Sequence, residues 1–163
     1  MTTSAFVTAL LLIHVGVILV VTAYYTVGAV LAPGLTERAR IRFAGRPWLA
    51  VLIGLAISVP WVVAAIALLN APFAAVKFVG AALGCLWVFL GLMGGAGIAQ
   101  HVGRAEAGSG PTWTQTVRGG LLISLTWALP LVGWLGMLPL TMAAGIGCFV
   151  LGMLPLREAP AAA

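Results

Sequence analysis

The chain has 163 residues, of which 63% are hydrophobic and 7% are charged, and its formal net charge is +5 at pH 7. A soluble domain carries roughly 25% charged residues and exposes much of its surface to water, so a water-soluble fold is excluded. The basic residues are scattered and form no patch interleaved with exposed aromatic side chains, which argues against nucleic-acid binding. We therefore expect an all-α fold, a polytopic transmembrane helical bundle of about five spans in a single domain.

The first apolar stretch predicts a span over residues 5–31. It has no basic segment in front of it and is longer than the apolar core of a signal peptide, so we expect it to be retained. Residues 33–46 are polar and carry four arginines. We expect them to form a short surface turn in which Ile41 and Phe43 reach the lipid headgroups.

Two long spans are predicted next, over residues 47–69 and 73–100. The first of these begins at a proline, which suits a helix start, and contains Pro60, which should bend it. The polar segment 101–118 contains the sequence GSGP and is predicted to be a loop on the same side as residues 33–46.

The last apolar run, from Gly119 to Leu156, is too long for one crossing of the membrane. Its proline and glycine residues gather near the middle, so we predict two shorter spans over residues 119–132 and 138–156. A re-entrant pair is the alternative for this region.

The distribution of charge tests the count of five spans. With five spans, one side of the membrane carries the arginines at 38–46, Arg104, Arg118 and Arg157. Lys77 is the exception and lies inside a span. Arginine and lysine accumulate on the cytoplasmic side of membrane proteins. We therefore predict a bacterial inner-membrane protein whose N-terminus is outside and whose C-terminus is cytoplasmic.

Tryptophan and small residues mark two further features of the spans. Trp48 and Trp113 are predicted at the inner interface and Trp134 at the outer one, as in aromatic belts. Small residues four positions apart let helix backbones approach closely, either within this chain or against another subunit. The predicted helix-packing positions are Gly54, Ser58, Gly80, Gly84, Gly91 and Gly95.

His14 is the candidate site residue, because it lies among aliphatic side chains in the outer half of the first span. A polar group at that depth points to function, although a hydrogen bond between helices is the structural alternative. If His14 is functional, it would act as an axial ligand of a tetrapyrrole or as part of a proton relay. His101 lies roughly 25 Å away along the membrane normal, which excludes a haem held by both histidines of one chain. We expect no other metal site.

Three segments carry a resemblance: RFAGRPWLAVLIGL, GLMGGAGIAQHVGR and ALPLVGWLGMLPLTMAAGIGCFVLGML. In this order, from about Leu31 onward, the chain resembles a membrane module of bacterial proteins related to polymer-forming cytoskeletal (bactofilin-like) polypeptides. The resemblance implies a membrane anchor without enzymatic activity.

No catalytic motif or buried carboxylate pair is evident in the sequence. We expect a non-catalytic accessory or scaffold subunit of a larger bacterial membrane complex, such as a photosynthetic or respiratory assembly. Its partners would be other integral membrane subunits and lipids, and a bound pigment, quinone or lipid would suit that setting. The alternative is a small transporter or channel-like protein, because prolines interrupt the predicted spans.

Overall fold

The computed structural model describes residues 2–107, 110–129 and 131–154, without the side chains of residues 2, 3 and 107. The described chain is helical. Its elements are α1 (Thr2–Leu31), α2 (Pro33–Gly45), α3 (Pro47–Leu69), α4 (Ala74–Ala107), α5 (Thr112–Trp127), a π-helical segment (Val132–Met137) and α6 (Leu138–Met153).

Four helical stretches in the described chain are long and apolar enough to cross a membrane. They are Ser4–Leu31, Pro47–Leu69, Ala74–Glu106 and Val132–Met153. This confirms the predicted all-α bundle of membrane-spanning helices. α5 has 16 residues and is about 24 Å long, shorter than the ~30 Å hydrocarbon core, so a fifth crossing stays a prediction.

Most of the charge lies at one end of the bundle, which we call the arginine end. It consists of α2, the C-terminal ends of α1, α4 and α6, and the N-terminal ends of α3 and α5. α2 lies across α4 and α6 there, with Ala39 against Gly97 and Leu35 against Gly152. The arginines that the structure describes all belong to this end: Arg38, Arg40, Arg42, Arg46, Arg104 and Arg118.

Three contacts between glycines mark points where helices cross. Gly54 of α3 meets Gly147 of α6, Gly94 of α4 meets Gly145 of α6, and Gly103 of α4 meets Gly119 of α5. At each of these glycines an added methyl group would overlap a backbone carbonyl of the facing helix. Backbone contact of this kind supplies the van der Waals attraction that holds helices together in lipid.

The two polar segments that were predicted to be a turn and a loop are helical instead. Residues 33–45 form α2, and the predicted loop 101–118 contains the last turns of α4 and the first turns of α5. Gly103 and Gly119 bring these turns into backbone contact, and Gln115 and Thr116 are buried between them. Polar side chains therefore lie inside a helical hairpin here, which a hydropathy pattern does not show.

The C-terminal hairpin turns earlier than predicted. The predicted spans were 119–132 and 138–156. The structure instead has α5, which ends at Trp127, and a continuous helical stretch over Val132–Met153. Gly133 packs directly on the carbonyls of Thr126 and Trp127, so the π-helical segment begins close to the end of α5. Pro130 and the predicted end at residues 155–156 lie outside the described residues.

Candidate functional site

α1 packs on the bundle through only one of its halves. Its buried residues begin at Val21 and include Tyr25 and Ala29, near the arginine end. Between Ser4 and Val20 no residue of α1 is buried. This half of the helix therefore stands away from α4 and α5 and leaves two openings beneath it, one on each side.

The opening on the α4 side is an apolar groove of about 880 Å³, which we call the α1–α4 groove. Gly16 of α1 and Gly84 of α4 line it, and a methyl group on either would meet nothing within 4 Å. Cys85 and Val88 continue the α4 wall, and both are exposed. Two bare stretches of helix backbone thus face the same groove.

The predicted helix-packing positions have different outcomes in the structure. Gly54 faces α6, and a Cβ on Gly80 would lie 2.9 Å from the carbonyl oxygen of Ala65 in α3. The Cβ positions of Gly91 and Gly95 fall 3.2 Å from Met142 Sδ and 2.7 Å from Tyr25 Cε1.

Ser58 is buried, as a packing position should be, but its hydroxyl has no hydrogen-bond partner among the described residues. The prediction that Gly84 packs a helix of this chain is wrong, because the α1–α4 groove lies in front of it. Contact of Gly84 with another subunit stays a prediction. Gly16, Gly103 and Gly119 were missed, because no glycine or serine stands four positions away from any of them.

The opening on the α5 side is a smaller cavity of about 210 Å³, which we call the His14 cavity. Its walls come from α1, α5 and the π-helical segment, and His14 and Ser124 supply its polar side chains. The structure thus brings His14 into contact with residues that sequence reasoning did not associate with it. The π-helical segment forms one wall, and such segments occur often at functional sites.

The hydrogen bond of His14 defines the state of its ring. Nδ1 lies 2.7 Å from the carbonyl oxygen of Leu10, one turn earlier in α1. Because a carbonyl only accepts, Nδ1 must carry the hydrogen, and in the neutral ring Nε2 is then an acceptor. No hydrogen bond to Nε2 is made within the described part of the chain.

Ser124 also lines the His14 cavity, but its hydroxyl oxygen does not open into it. The residue is 1% exposed, and its Oγ is buried without a partner among the described residues. A buried hydroxyl left without a hydrogen bond costs about 1–3 kcal/mol. The wall of the His14 cavity is almost wholly apolar.

Two tryptophans complete the walls of the His14 cavity. Trp134 lies beside His14, with ring centroids 6.3 Å apart and planes tilted by 56°. Trp127 is held in place because its Nε1 donates to Thr141 Oγ1 over 3.1 Å. The cavity is thus flanked by two aromatic surfaces.

Trp134 is 55% exposed at the end opposite the arginines, and Trp48 and Trp113 are exposed at the arginine end.

A third opening, of about 240 Å³, lies at the arginine end beside Glu37 and the buried Gln100. The hydrogen bond from Arg40 lowers the pKa of the Glu37 carboxyl, an effect that partial burial opposes. Arg40 and Glu37 form the ion pair of this region. His101 is not part of this opening, since its ring lies edge-on against Phe43 at 5.8 Å.

Among the described residues, no three His, Cys, Asp or Glu side chains gather closely enough to hold a metal ion. The His14 cavity offers an apolar wall and two aromatic surfaces. A tetrapyrrole macrocycle is larger than a cavity of about 210 Å³ can enclose. Ligation of a pigment by His14 would therefore need the macrocycle to lie on the lipid side of α1.

No family model matches the chain, and we found no significant match among curated proteins or solved structures. The resemblance to the bactofilin-related membrane module therefore stays a prediction. The predicted partner subunits and the predicted pigment, quinone or lipid also stay predictions.

Proposed function

We propose that the protein is a non-catalytic accessory subunit of a larger membrane assembly, and that a transmembrane helix of another subunit binds in the α1–α4 groove. The observation that carries this proposal is the pair Gly16 and Gly84, which face the groove with nothing within 4 Å of their Cβ positions. The proposed function is association with another subunit. The proposed site lies along the first half of α1, where no residue is buried in the chain's own bundle.

The internal packing of the chain supports a helix as the occupant. At three crossings within the bundle, a glycine of one helix lies against the backbone of a glycine in the facing helix. Gly16 and Gly84 offer the same bare backbone, but to a neighbour outside the chain. Lipid tails are as apolar as leucine, so apolar surface alone does not draw helices together, whereas close backbone packing does.

The charge distribution supports an orientation for this subunit. The described arginines lie at the arginine end, and Lys77 stands in the first turn of α4 at the opposite end. By the bias of arginine toward the cytoplasmic side, the arginine end faces the cytoplasm in the inner membrane of a bacterium. Reporter enzymes inserted after Gly45 and after Asn70 test this, and we expect activity from opposite sides. Both reporters on one side would contradict the orientation.

Photo-cross-linking in native membranes tests the association. A benzophenone amino acid at Val88, inside the groove, should form an adduct with one membrane protein, whereas the same probe at Val63 on the exposed face of α3 should not. Adducts to lipid alone at both positions would contradict the proposal.

A matched pair of substitutions separates association from folding. Gly84→Leu projects into the groove from a Cβ position that has nothing within 4 Å, so it should leave the fold intact and abolish the Val88 adduct. Ala82→Leu places the same leucine side chain at an exposed position that does not line the groove, and should leave the adduct in place. An adduct that persists in Gly84→Leu would exclude the groove as the docking site.

A further inference from the structure

The opening at the arginine end differs from the α1–α4 groove and the His14 cavity, because polar groups form a large part of its wall. We call it the Glu37 opening. Its volume is about 240 Å³, and it is lined by Ala29, Pro33, Thr36, Glu37, Gln100 and Thr112. These residues come from α1, α2, α4 and α5, so four helices meet here. The proposed association in the groove makes no use of this opening.

Gln100 is a buried polar side chain in this wall. It is 5% exposed, and its Oε1 is enclosed without a hydrogen-bond partner among the described residues. Its Nε2 also makes no hydrogen bond with the described residues, and unlike Oε1 it is not enclosed. Buried amides are paired as a rule, so an unpaired one in a cavity wall points to a partner from outside the chain. Gln100 therefore offers a donor to a molecule in the opening.

Glu37 offers an acceptor in the same opening. Its side chain is 45% exposed, and Arg40 donates two hydrogen bonds to its carboxylate. An ionised carboxylate has about four acceptor positions, so about two remain free for a ligand. The hydrogen bond from Arg40, together with the charges of Arg40 and Arg104, lowers the pKa of Glu37, so the carboxylate is ionised at neutral pH.

The start of α5 adds further donors. Thr112 is its first residue and is exposed, and no side chain caps this helix. The backbone N–H groups of Thr114 and Gln115 bond back to Pro111, whereas those of Thr112 and Trp113 have no partner among the described residues. The first N–H groups of a helix form the positive end of its dipole and favour a phosphate. The opening thus presents a carboxylate on one element and donors on two others.

We propose that the Glu37 opening binds the phosphoethanolamine head group of a membrane phospholipid. The ammonium group donates to the free positions of the Glu37 carboxylate, and the phosphate oxygens accept from Gln100 Nε2 and from the start of α5. A phosphate alone would place its charge beside the carboxylate, and an ammonium alone would leave the donors unpaired. A zwitterion of these two groups satisfies both.

The location of the opening suits a lipid head group. Trp113 follows Thr112 and is 58% exposed, and tryptophans of membrane proteins gather at the level of the head groups. Pro33, at the start of α2, is exposed as well, so the opening is reached from outside the bundle. A lipid bound here keeps its acyl chains in the bilayer.

Native mass spectrometry of the full chain in detergent, titrated with one lipid at a time, tests the proposal. The three probes share two oleoyl chains and differ in their head groups. They are phosphatidylethanolamine, phosphatidylcholine, which has no N–H donor, and phosphatidylglycerol, which has no cation. We expect phosphatidylethanolamine to bind at least about threefold more tightly than the other two. A smaller preference, or a preference for another lipid, overturns the proposal.

A competitor distinguishes the membrane lipid from a water-soluble source of the same head group. Glycerophosphoethanolamine has no acyl chains, and at a concentration equal to that of phosphatidylethanolamine it should not displace the lipid. Displacement would overturn the assignment of a membrane lipid as the ligand.

A matched pair of variants locates the site. Glu37→Gln should lower the affinity for phosphatidylethanolamine to that for phosphatidylcholine, because the ammonium group loses its carboxylate. Glu106→Gln removes an exposed acid of α4 that does not line the opening, and should keep the full preference. A preference that survives Glu37→Gln overturns the assignment of the site. The comparison of the three lipids uses the unmodified protein, so it requires no variant to fold.

Discussion

The Nε atom of Arg38 donates a hydrogen bond to the carbonyl oxygen of Gly152 over 2.7 Å, which joins α2 to the last turn of α6. Arg42 donates to the neighbouring carbonyls of Leu151 and Leu154. The last carbonyls of a helix have no partner inside it and form the negative end of its dipole. Two guanidinium groups from a distant part of the chain thus cap α6.

Removal of this cap should destabilise the bundle. We expect Arg38→Met to lower the free energy of unfolding by about 1.5–3 kcal/mol, because a charged hydrogen bond to a half-buried carbonyl is lost. Unfolding by titration with dodecyl sulfate in mixed micelles measures the effect. Arg118→Met is the matched control, since Arg118 is exposed, and it should change stability by less than about 0.5 kcal/mol. Equal losses in the two variants would contradict the capping role.

Glycines at the helix crossings should tolerate no side chain, in contrast to glycines in the groove. Gly54→Ala places a methyl group on the carbonyl of Ala143, so α3 and α6 must separate. We expect a loss of about 3 kcal/mol or more, at or beyond the upper end of overpacking effects. Gly84→Ala has open space and should be neutral or slightly stabilising, because alanine favours a helix. Thermal unfolding in detergent compares the two, and similar losses would argue against the crossing geometry.

The ion pair of Glu37 and Arg40 should make stability depend weakly on pH. The pKa of Glu37 in the folded protein lies below its ordinary value of 4.5, chiefly through the hydrogen bond from Arg40. The stabilisation is therefore present above pH 4.5 and is lost as pH falls through the lowered pKa. Glu37→Gln should be less stable than the unmodified protein at pH 7, by less than about 1 kcal/mol because the pair is partly exposed.

Unfolding titrations at pH 7 and at pH 3 check this dependence. We expect the difference between the unmodified protein and Glu37→Gln to be smaller at the lower pH. Arg118→Met again serves as control, because it removes an exposed charge that takes no part in the ion pair of Glu37 and Arg40. A difference that grows as the pH falls would contradict the sign of the pKa change.

Ser124→Ala should stabilise the ligand-free protein. The hydroxyl is buried without a partner, so its removal relieves about 1–2 kcal/mol of lost solvation. Ser4→Ala, on the exposed start of α1, serves as the control and should have little effect. Dodecyl sulfate titration gives the comparison. A marked loss of stability in Ser124→Ala would show that the hydroxyl is already paired.

The hydrogen bond between Trp127 and Thr141 should stabilise the C-terminal hairpin. Trp127 is 5% exposed, and Thr141→Val leaves its indole N–H without an acceptor. We expect a loss of about 1–3 kcal/mol. Thr8→Val removes a hydroxyl that bonds one turn back within exposed α1 and should cost less than about 0.5 kcal/mol. Equal effects in unfolding titrations would exclude a role for the Trp127 contact.

Part of the candidate site was visible in the sequence. His14 stood out because an imidazole among aliphatic residues in a span is unusual, and Gly80 and Gly84, which line the α1–α4 groove, stood out through their spacing. Ser124 did not, because a serine in an apolar helix bonds as a rule to its own backbone. Only the approach of α1 to α5 shows that Ser124 lines the same cavity as His14.

The amino-acid sequence by itself determined that the chain is an all-α membrane protein and where its three long spans begin, because hydropathy and helix-breaking residues act locally. The tertiary structure decided which polar segments are helical and which glycines have a partner. Both depend on what lies across from a residue: Gln115 and Thr116 are buried because Gly103 meets Gly119, and Gly84 is open because the first half of α1 stands away from α4. Contacts between residues far apart in the chain are set by helix packing, and they cannot be inferred from local composition.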